Sequence, residues 1–200
     1  MARPSKIARE KQLSSTRDQL LEAAAIEFAQ EGYVGANINR ISRSAGFAKG
    51  TIYNYFPSKR ALMFALIEEI AAPHVAFILE LVEQENDHDE QLKCFFRAGF
   101  TFVEQNPVQA RVIINAVYGP DSEFKNHVYQ AYSQLFTLLI HEIVEAGIAS
   151  GGFRPVDADL TAALIMTVYL GSCSLLGDDG KIGLDPEQVT EFVIDGLRNR

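Results

Sequence analysis

The chain has 200 residues, 48% of them hydrophobic, which is enough to bury a full core in one domain or in a small domain joined to a larger one. Residues 1–60 hold 10 Lys and Arg against 5 Asp and Glu, a formal charge of +5, whereas residues 61–200 hold 8 against 21, a formal charge of -13. This division argues against nonspecific DNA or membrane binding by the acidic part and indicates a polyanionic partner for the N-terminal part only.

Helical periodicity runs through the sequence, because apolar residues recur at steps of three and four without sustained alternation or hairpin turns. The pattern predicts an all-α protein. The first helix is expected to begin at Ser15 or Thr16, where Ser15 and Asp18 have capping-box spacing, and to end at Gly32. The basic residues near the N-terminus predict either a solvated tail or an arm on DNA. They are Arg3, Lys6, Arg9 and Lys11.

Two short helices should follow. One begins after Asn37, a suitable N-cap, and ends at Gly46, and the next runs from about Lys49 to Phe56. The three-residue turn between them has the length found in helix-turn-helix units. With Ile52 facing the core, the opposite face carries small, amide and phenol groups suited to a groove. This outer face consists of Gly50, Thr51, Tyr53 and Asn54, with Lys49 and Lys59 at its two ends.

The chemistry of this face fits DNA. Gly50 costs about 1 kcal/mol of helix propensity against Ala, which is understandable if a larger side chain would block close approach to a sugar-phosphate backbone. Thr51 and Tyr53 can donate hydrogen bonds to phosphates, and Asn54 can pair bidentately with adenine. Any amphipathic helix has a polar outer face, so an ordinary solvated face is the alternative interpretation.

The rest of the chain is also predicted to be helical. Ser58 should cap a long fourth helix that Pro73 kinks. Five further helices bring the total to nine, at about 88–105, 107–118, 122–150, 157–176 and 185–198. The uncharged run at 160–177 just reaches the length of a membrane span, but its Ser, Thr and Gly content favours a helix buried against other helices. We therefore expect no membrane contact.

Residues 16–62 carry a series of matches to one family pattern. They are Arg17, the Ala24-Ala25 pair, Phe28, Gly32-Tyr33, Ile41, Ala45-Gly46, the run from Lys49 to Tyr53, Tyr55-Phe56, Lys59 and Leu62. This series resembles the DNA-binding domain of TetR-family transcriptional regulators. The resemblance implies a nine-helix homodimer, with a helix-turn-helix domain at 1–57 and an effector-binding and dimerisation domain at 58–200. It further implies a repressor that an effector releases from an inverted-repeat operator.

Three positions depart from the family pattern. Asn37 and Tyr55 stand at DNA-binding positions where the family usually has Thr and His, and Ala48 replaces a Ser or Thr that would cap the third helix. We expect altered DNA contacts rather than lost binding.

The resemblance also implies how two copies pair. The last two helices would form a four-helix bundle with their symmetry mates, and Gly171 would permit close helix approach. The predicted interface comprises Leu164, Val168, Gly171, Leu175, Val189, Phe192 and Val193.

Aromatic and aliphatic residues around the fourth helix predict a mainly apolar cavity for a small hydrophobic or amphipathic effector. The candidate ligand-binding residues are Phe96, Phe100, Asn115, Tyr118, His127, Tyr132, Phe136 and Tyr169. A solid core built from the same residues is one alternative. A C-terminal domain that binds another protein is a second.

Other functions have little support in the sequence. It contains no GxSxG, P-loop or GxGxxG motif, and only His141 and Glu145 have helical spacing for a metal, which is more typical of a solvated pair. Cys94 and Cys173 lie far apart in apolar runs, as buried free thiols do. No secretory signal is visible. We expect a cytoplasmic protein that is not an enzyme and needs no cofactor or metal.

Overall fold

The structure, a computed structural model, describes the backbone of residues 6–199 and the side chains of residues 15–199. Within these ranges it is helical, with two isolated β-bridges and no strand. The first six helices are α1 (Lys6–Gly35), α2 (Ile38–Ser44), α3 (Lys49–Tyr53), α4 (Lys59–Val82), α5 (His88–Gln105) and α6 (Pro107–Tyr118). The others are α7 (Ser122–Ala131), α8 (Ser133–Thr137), a π-helical segment (Leu138–Glu145), α9 (Ala146–Ala149), α10 (Ala158–Cys173) and α11 (Pro186–Leu197).

The helix expected at 122–150 is divided into α7, α8, the π-helical segment and α9. Counting this run as one interrupted helix gives nine helices in the described part of the chain, the number expected. The apolar residues buried in the π-helical segment are Leu138, Leu139, Ile143 and Val144. They recur at steps of five, which matches the wider turn of a π-helix rather than an α-helix.

The start of α1 was predicted incorrectly. The helix begins at Lys6 rather than at Ser15 or Thr16, because residues 6–14 contain neither Gly nor Pro and nothing stops the helix ahead of the apparent capping box. Arg3 of the basic arm lies outside the described residues. So do the side chains of Lys6, Arg9 and Lys11.

The other end of α1 agrees better with the expectation. Gly32 has φ 64° and ψ 177°, a conformation that only glycine adopts readily, and the regular helix is interrupted there. Three residues later the chain leaves α1 and turns into α2. Helix α3 is shorter than expected, because it ends at Tyr53 while residues 54 and 55 continue as a turn.

Helix α4 is the central element of the body and packs against α1, α5 and α7. Ser58 caps it as expected, since its Oγ accepts a hydrogen bond of 3.0 Å from the Ala61 amide. Pro73 lies inside the continuous helix. By length and composition α4 could span a membrane, yet half of its most apolar window is buried in the fold. Its hydrophobicity is therefore accounted for by its packing in the core.

Candidate DNA-reading surface and effector cavity

The outward face of α3 consists of the residues predicted for it. Ile52 is 1% exposed and anchors the helix in the core, whereas Tyr53 is 45% exposed. Lys49, Gly50 and Asn54 are exposed as well, and Thr51 and Tyr55 are half-buried. A Cβ added at Gly50 would meet no atom of the protein within 4 Å. The helix therefore presents a shallow polar surface with space in front of its backbone.

Asn37 and Glu27 together fix the start of α2. Asn37 Oδ1 accepts a hydrogen bond of 2.8 Å from the Asn39 amide, as an N-cap should. The backbone amide of Asn37 donates a hydrogen bond to Glu27 Oε1 at 2.7 Å, and Arg40 Nε donates to the same oxygen at 2.8 Å. The hydrogen bond with Glu27 is the largest cause raising the pKa of Arg40. The nearly buried carboxylate therefore joins α1 to α2.

Sequence reasoning missed Glu27. The signal was an acidic residue between Ala24 and Phe28 on the apolar face of α1, where a charge needs a partner.

Lys59 is directed toward the protein. Its Nζ donates to the carbonyls of Val34 at 3.1 Å and Ala36 at 2.8 Å, and it lies 4.8 Å from the centroid of the Tyr33 ring. These contacts close the C-terminal end of α1 and leave one ammonium proton for another acceptor. Lys49 differs, because no internal hydrogen bond or ion pair involving it is found among residues 15–199. Lys49 is therefore the freer of the two cations.

A cavity of about 40 Å³ lies between α4, α5, α6, α7 and α10. Most of its lining is apolar and none of its lining residues is Asp, Glu, Lys or Arg. Its polar residues are His74, Asn106, Tyr129, Tyr132, Tyr169 and Cys173. A volume of this size holds only a few water molecules, whereas ligand sites usually measure hundreds of cubic ångströms. An effector that enters must therefore widen the cavity. In the described part of the chain, no cluster of three or more His, Cys, Asp or Glu could hold a metal ion.

His74 is the centre of a hydrogen-bonded triad in this cavity. Its Nδ1 lies 3.1 Å from the Tyr132 hydroxyl and its Nε2 3.0 Å from the Tyr169 hydroxyl. The Phe102 ring stacks on the imidazole with centroids 4.3 Å apart. Burial lowers the pKa of His74 to about 4 and raises the pKa of both tyrosines, so all three groups are neutral at physiological pH.

The structure places the predicted ligand-binding residues at different distances from the cavity. Tyr132 and Tyr169 line it. Phe96 and Phe100 are buried behind it, each with its ring centroid 6.1 Å from that of Tyr169. Phe136 packs against Tyr129, whose ring does line the cavity, at 6.2 Å. Of these five aromatic residues, Tyr132 and Tyr169 therefore form the wall of the cavity, and Phe96, Phe100 and Phe136 support it.

The other three predicted ligand-binding residues lie outside the cavity lining. Asn115 Nδ2 is 3.5 Å from the Phe28 carbonyl of α1, and Tyr118 is 57% exposed. His127 Nε2 lies 2.9 Å from Glu68 Oε1, without the angles of a hydrogen bond.

Sequence reasoning also missed His74. Its signal was a histidine on the apolar stripe of α4, four residues after Ile70 and four before Ile78. A core histidine whose hydrogen bonds are all made within the protein would show the same pattern.

Helix α7 connects the cavity with the DNA-reading domain. Val128 and Tyr129 line the cavity, and one turn earlier the Phe124 ring lies 4.6 Å from the Tyr33 ring at the end of α1. At the start of α7, Arg60 forms an ion pair of 2.8 Å with Asp121 and a second one with Glu123. Arg60 also lies 5.0 Å from the Phe124 ring. A movement of α7 would therefore disturb its contacts with Tyr33 at the end of α1 and with Arg60 at the start of α4.

Helices α10 and α11 and the turn that follows α10 leave large apolar side chains in solvent. Leu164 is 57%, Leu175 55% and Phe192 79% exposed, and a Cβ added at Gly171 would meet no atom of the protein. Val168, Val189 and Val193 are half-buried beside them. Such a patch is typical of a surface that binds a partner.

Two family patterns cover most of the chain. Residues 20–66 match the bacterial regulatory proteins of the tetR family, and residues 85–199 match the tetracyclin repressor-like C-terminal domain. The chain belongs to the TetR family. The all-α fold and the family inferred from the sequence are confirmed.

Relatives of this TetR-family chain include transcriptional repressors and nucleoid occlusion factors. The HTH-type transcriptional repressor AcnR of Corynebacterium diphtheriae is 35% identical over 194 residues, 94% of each chain. The fatty acid degradation regulator FadR from Bacillus halodurans superposes with a TM-score of 0.80 at 25% identity, over 92% of this chain and 97% of that one. FadR from Bacillus subtilis in complex with stearoyl-CoA gives 0.76 at 21% identity, over 89% and 95%.

This TetR-family protein is a DNA-binding transcriptional repressor. The alternative of a C-terminal domain that binds another protein is not favoured.

Proposed function

We propose that two copies of the protein bind an inverted-repeat operator through their α3 helices, and that a small hydrophobic or amphipathic effector in the His74 cavity releases them. Residues 1–57 would read DNA, and residues 58–200 would bind the effector and dimerise in the cytoplasm. The observation that carries the proposal is the uncharged, mostly apolar cavity, whose wall helix α7 also contacts the end of α1.

The residues proposed for DNA binding are Asn37, Lys49, Gly50, Thr51, Tyr53, Asn54, Tyr55 and Lys59. Within it we assign Asn54 as a base reader, because it is exposed on α3 and an amide can pair bidentately with adenine. We assign Lys49 as a phosphate anchor, because its ammonium is exposed at the start of the same helix. Lys59 acts mainly by closing the end of α1 through its two carbonyl bonds.

Two substitutions separate these roles. Asn54→Ala should relax base preference at one operator position at a cost of about 1 to 3 kcal/mol, because it removes a bidentate pair. Lys49→Ala should weaken binding to all sequences alike and reduce the salt slope by about one unit, because it removes one phosphate contact. Binding to a library of operator variants at several salt concentrations measures both. The assignment is wrong if Lys49→Ala changes which sequence is preferred.

The dimer is supported by the exposed apolar side chains of α10 and α11. With Leu164, Leu175 and Phe192 more than half exposed, a four-helix bundle with a second copy would cover the patch. Gly171→Arg should give monomers or aggregates in sedimentation and lose tight operator binding, since the single chain has one reading helix. A stable monomer of the unmutated protein would contradict the arrangement.

Effector release requires that the ligand bind the DNA-incompetent state more tightly, by about 1.4 kcal/mol for each factor of ten. Helix α7 offers the connection, because widening the cavity at Tyr129 displaces the helix that holds Phe124 against Tyr33 at the end of α1 and Asp121 against Arg60 at the start of α4. Titrating the operator complex with hydrophobic compounds and with multiply charged metabolites tests this. Release by the multiply charged compounds alone would refute the proposed effector class.

A further inference from the structure

The triad in the cavity holds one more hydrogen-bond donor than it uses. A neutral imidazole has one N–H and one bare nitrogen, so one tyrosine must donate to His74 and the other must accept from it. The accepting tyrosine keeps its own hydroxyl proton. Whichever tautomer His74 adopts, three donor protons serve two hydrogen bonds, and one O–H remains.

The two tyrosines differ in what else is near. Cys173 lies beside the Tyr169 hydroxyl. Burial raises the pKa of its thiol to about 12, although the hydrogen bond with Tyr169 acts in the opposite direction. Sulfur is a weak acceptor, so it satisfies the Tyr169 hydroxyl only in part. For Tyr132, no second hydrogen-bond partner is found within the described residues. The remaining proton is therefore most available to a ligand when Tyr132 accepts from Nδ1–H and offers its own O–H to the cavity.

The surroundings of the triad disfavour an anion. None of the cavity's lining residues is Lys or Arg, and the imidazole is neutral, so a buried carboxylate would lose its hydration without gaining a counter-charge. An uncharged ligand oxygen loses much less hydration free energy when it is buried. A hydrogen bond donated by the Tyr132 hydroxyl can then offset most of that loss.

The nearest surface depression is also acidic. It measures about 220 Å³, lies against α1 and α4, and shares Ile70, Phe102 and Asn106 with the cavity. Its rim carries Asp18, Glu22 and Glu69. Arg17 lies 2.9 Å from Glu69 and 4.0 Å from Asp18, so part of the rim is ion-paired. The residues that line the depression offer an anionic ligand no Lys or Arg.

We propose that the cavity selects an uncharged ligand that presents one oxygen acceptor on a hydrocarbon body, of the ketone, ester or lactone class. It rejects the matching carboxylate and the matching coenzyme A thioester, because no residue that lines the cavity or the depression is a Lys or Arg that could pair with the carboxylate or the phosphates. This inference rests on the proposed function, because it takes the His74 cavity as the effector site. It distinguishes this chain from the Bacillus subtilis FadR, which was solved with stearoyl-CoA.

The test is calorimetric titration of the full-length protein with 2-octanone, octanoate and octanoyl-coenzyme A, together with shorter and longer members of each series. The best ketone should bind at least about tenfold more tightly than the corresponding acid and thioester. Operator release should follow the same order. Tyr132→Phe should weaken ketone binding about fivefold and bring the ketone and its parent alkane to similar affinity.

Tyr118→Phe is the matched control. Tyr118 is 57% exposed and lies outside the cavity lining, so its loss of a hydroxyl should leave the ketone preference intact. Operator binding by each variant verifies that it is folded.

The possible failures can be told apart. If acids or thioesters bind best, or if Tyr132→Phe leaves the ketone preference unchanged in folded protein, the ligand class is wrong and the cavity remains the effector site. If no member of any series binds to protein that still holds its operator, the effector function of the cavity fails as well.

Discussion

Polar side chains have different partners in the DNA-reading domain and in the body. In the reading domain they bind backbone groups. Asn37 caps α2, Glu27 accepts a hydrogen bond from the backbone amide of Asn37, and Lys59 donates to a carbonyl at the end of α1. At the cavity, Tyr132 and Tyr169 instead bond to the side chain of His74. Side chains that bind backbone fix where helices begin and end. Side chains that bind one another can exchange partners without unfolding a helix.

The difference indicates what each region is built to do. The reading surface is set in place before DNA arrives, because its supporting groups are already occupied. The triad keeps a donor available, so a ligand can change its hydrogen bonding and the position of α7. Polar side chains thus stabilise the reading domain, whereas at the cavity they can respond to a bound ligand.

The largest effect should come from breaking the triad sterically. A Cβ at Gly99 would lie 2.5 Å from the Tyr169 ring, which is 2% exposed and enclosed by Phe95, Phe96 and Phe100. Gly99→Ala should therefore lower the free energy of unfolding by about 2 kcal/mol through overpacking and abolish the ligand response.

The matched control for that substitution is Gly196→Ala on α11, where an added Cβ meets no atom of the protein. It should raise the free energy of unfolding by up to about 1 kcal/mol through helix propensity. Urea denaturation measures both variants. Equal effects of the two substitutions would show that Tyr169 is not held in place.

The next largest effect concerns pH. The pKa of His74 is 6.5 when unfolded and about 4 in the fold, so between these values the unfolded state binds a proton that the folded state does not. Stability contributed by neutral His74 is present above pH 6.5 and is lost as pH falls toward 4, by about 2 kcal/mol at pH 5. His74→Gln should remove this part of the pH dependence in urea denaturation. An unchanged slope would mean that His74 is protonated in the fold.

The sequence predicted the fold and the reading surface better than it predicted the cavity. Local signals determine the reading domain: caps at Asn37 and Ser58, and the position of Ile52 relative to its exposed neighbours. The cavity depends on residues distant in sequence, such as His74 and Tyr169, whose separation of 95 positions no periodicity reveals. A buried histidine on an apolar stripe looks the same whether it faces a cavity or a solid core. The early start of α1 was missed because capping-box spacing also occurs inside helices.

The smallest effect tests the reading surface itself. Gly50 has space in front of it, and its replacement by Ala should stabilise the isolated protein by up to about 1 kcal/mol. If the backbone of α3 approaches DNA closely, the same methyl group should lower operator affinity. Stability and operator binding would then change in opposite directions. An increase in both would mean that the DNA backbone does not come near this position.

The small volume of the cavity has a consequence for the rate at which the repressor responds. A ligand larger than about 40 Å³ must wait until the wall widens, including Ile70, Phe102 and Asn106, which the cavity shares with the acidic depression. The observed association rate should therefore level off as ligand concentration rises, at a limit common to ligands of different affinity. Arg17 and Glu69 bridge α1 and α4 beside that wall and are exposed, so salt should weaken their attraction and raise the limiting rate. The rate of induction would then be limited by the widening of the cavity rather than by the affinity of the inducer.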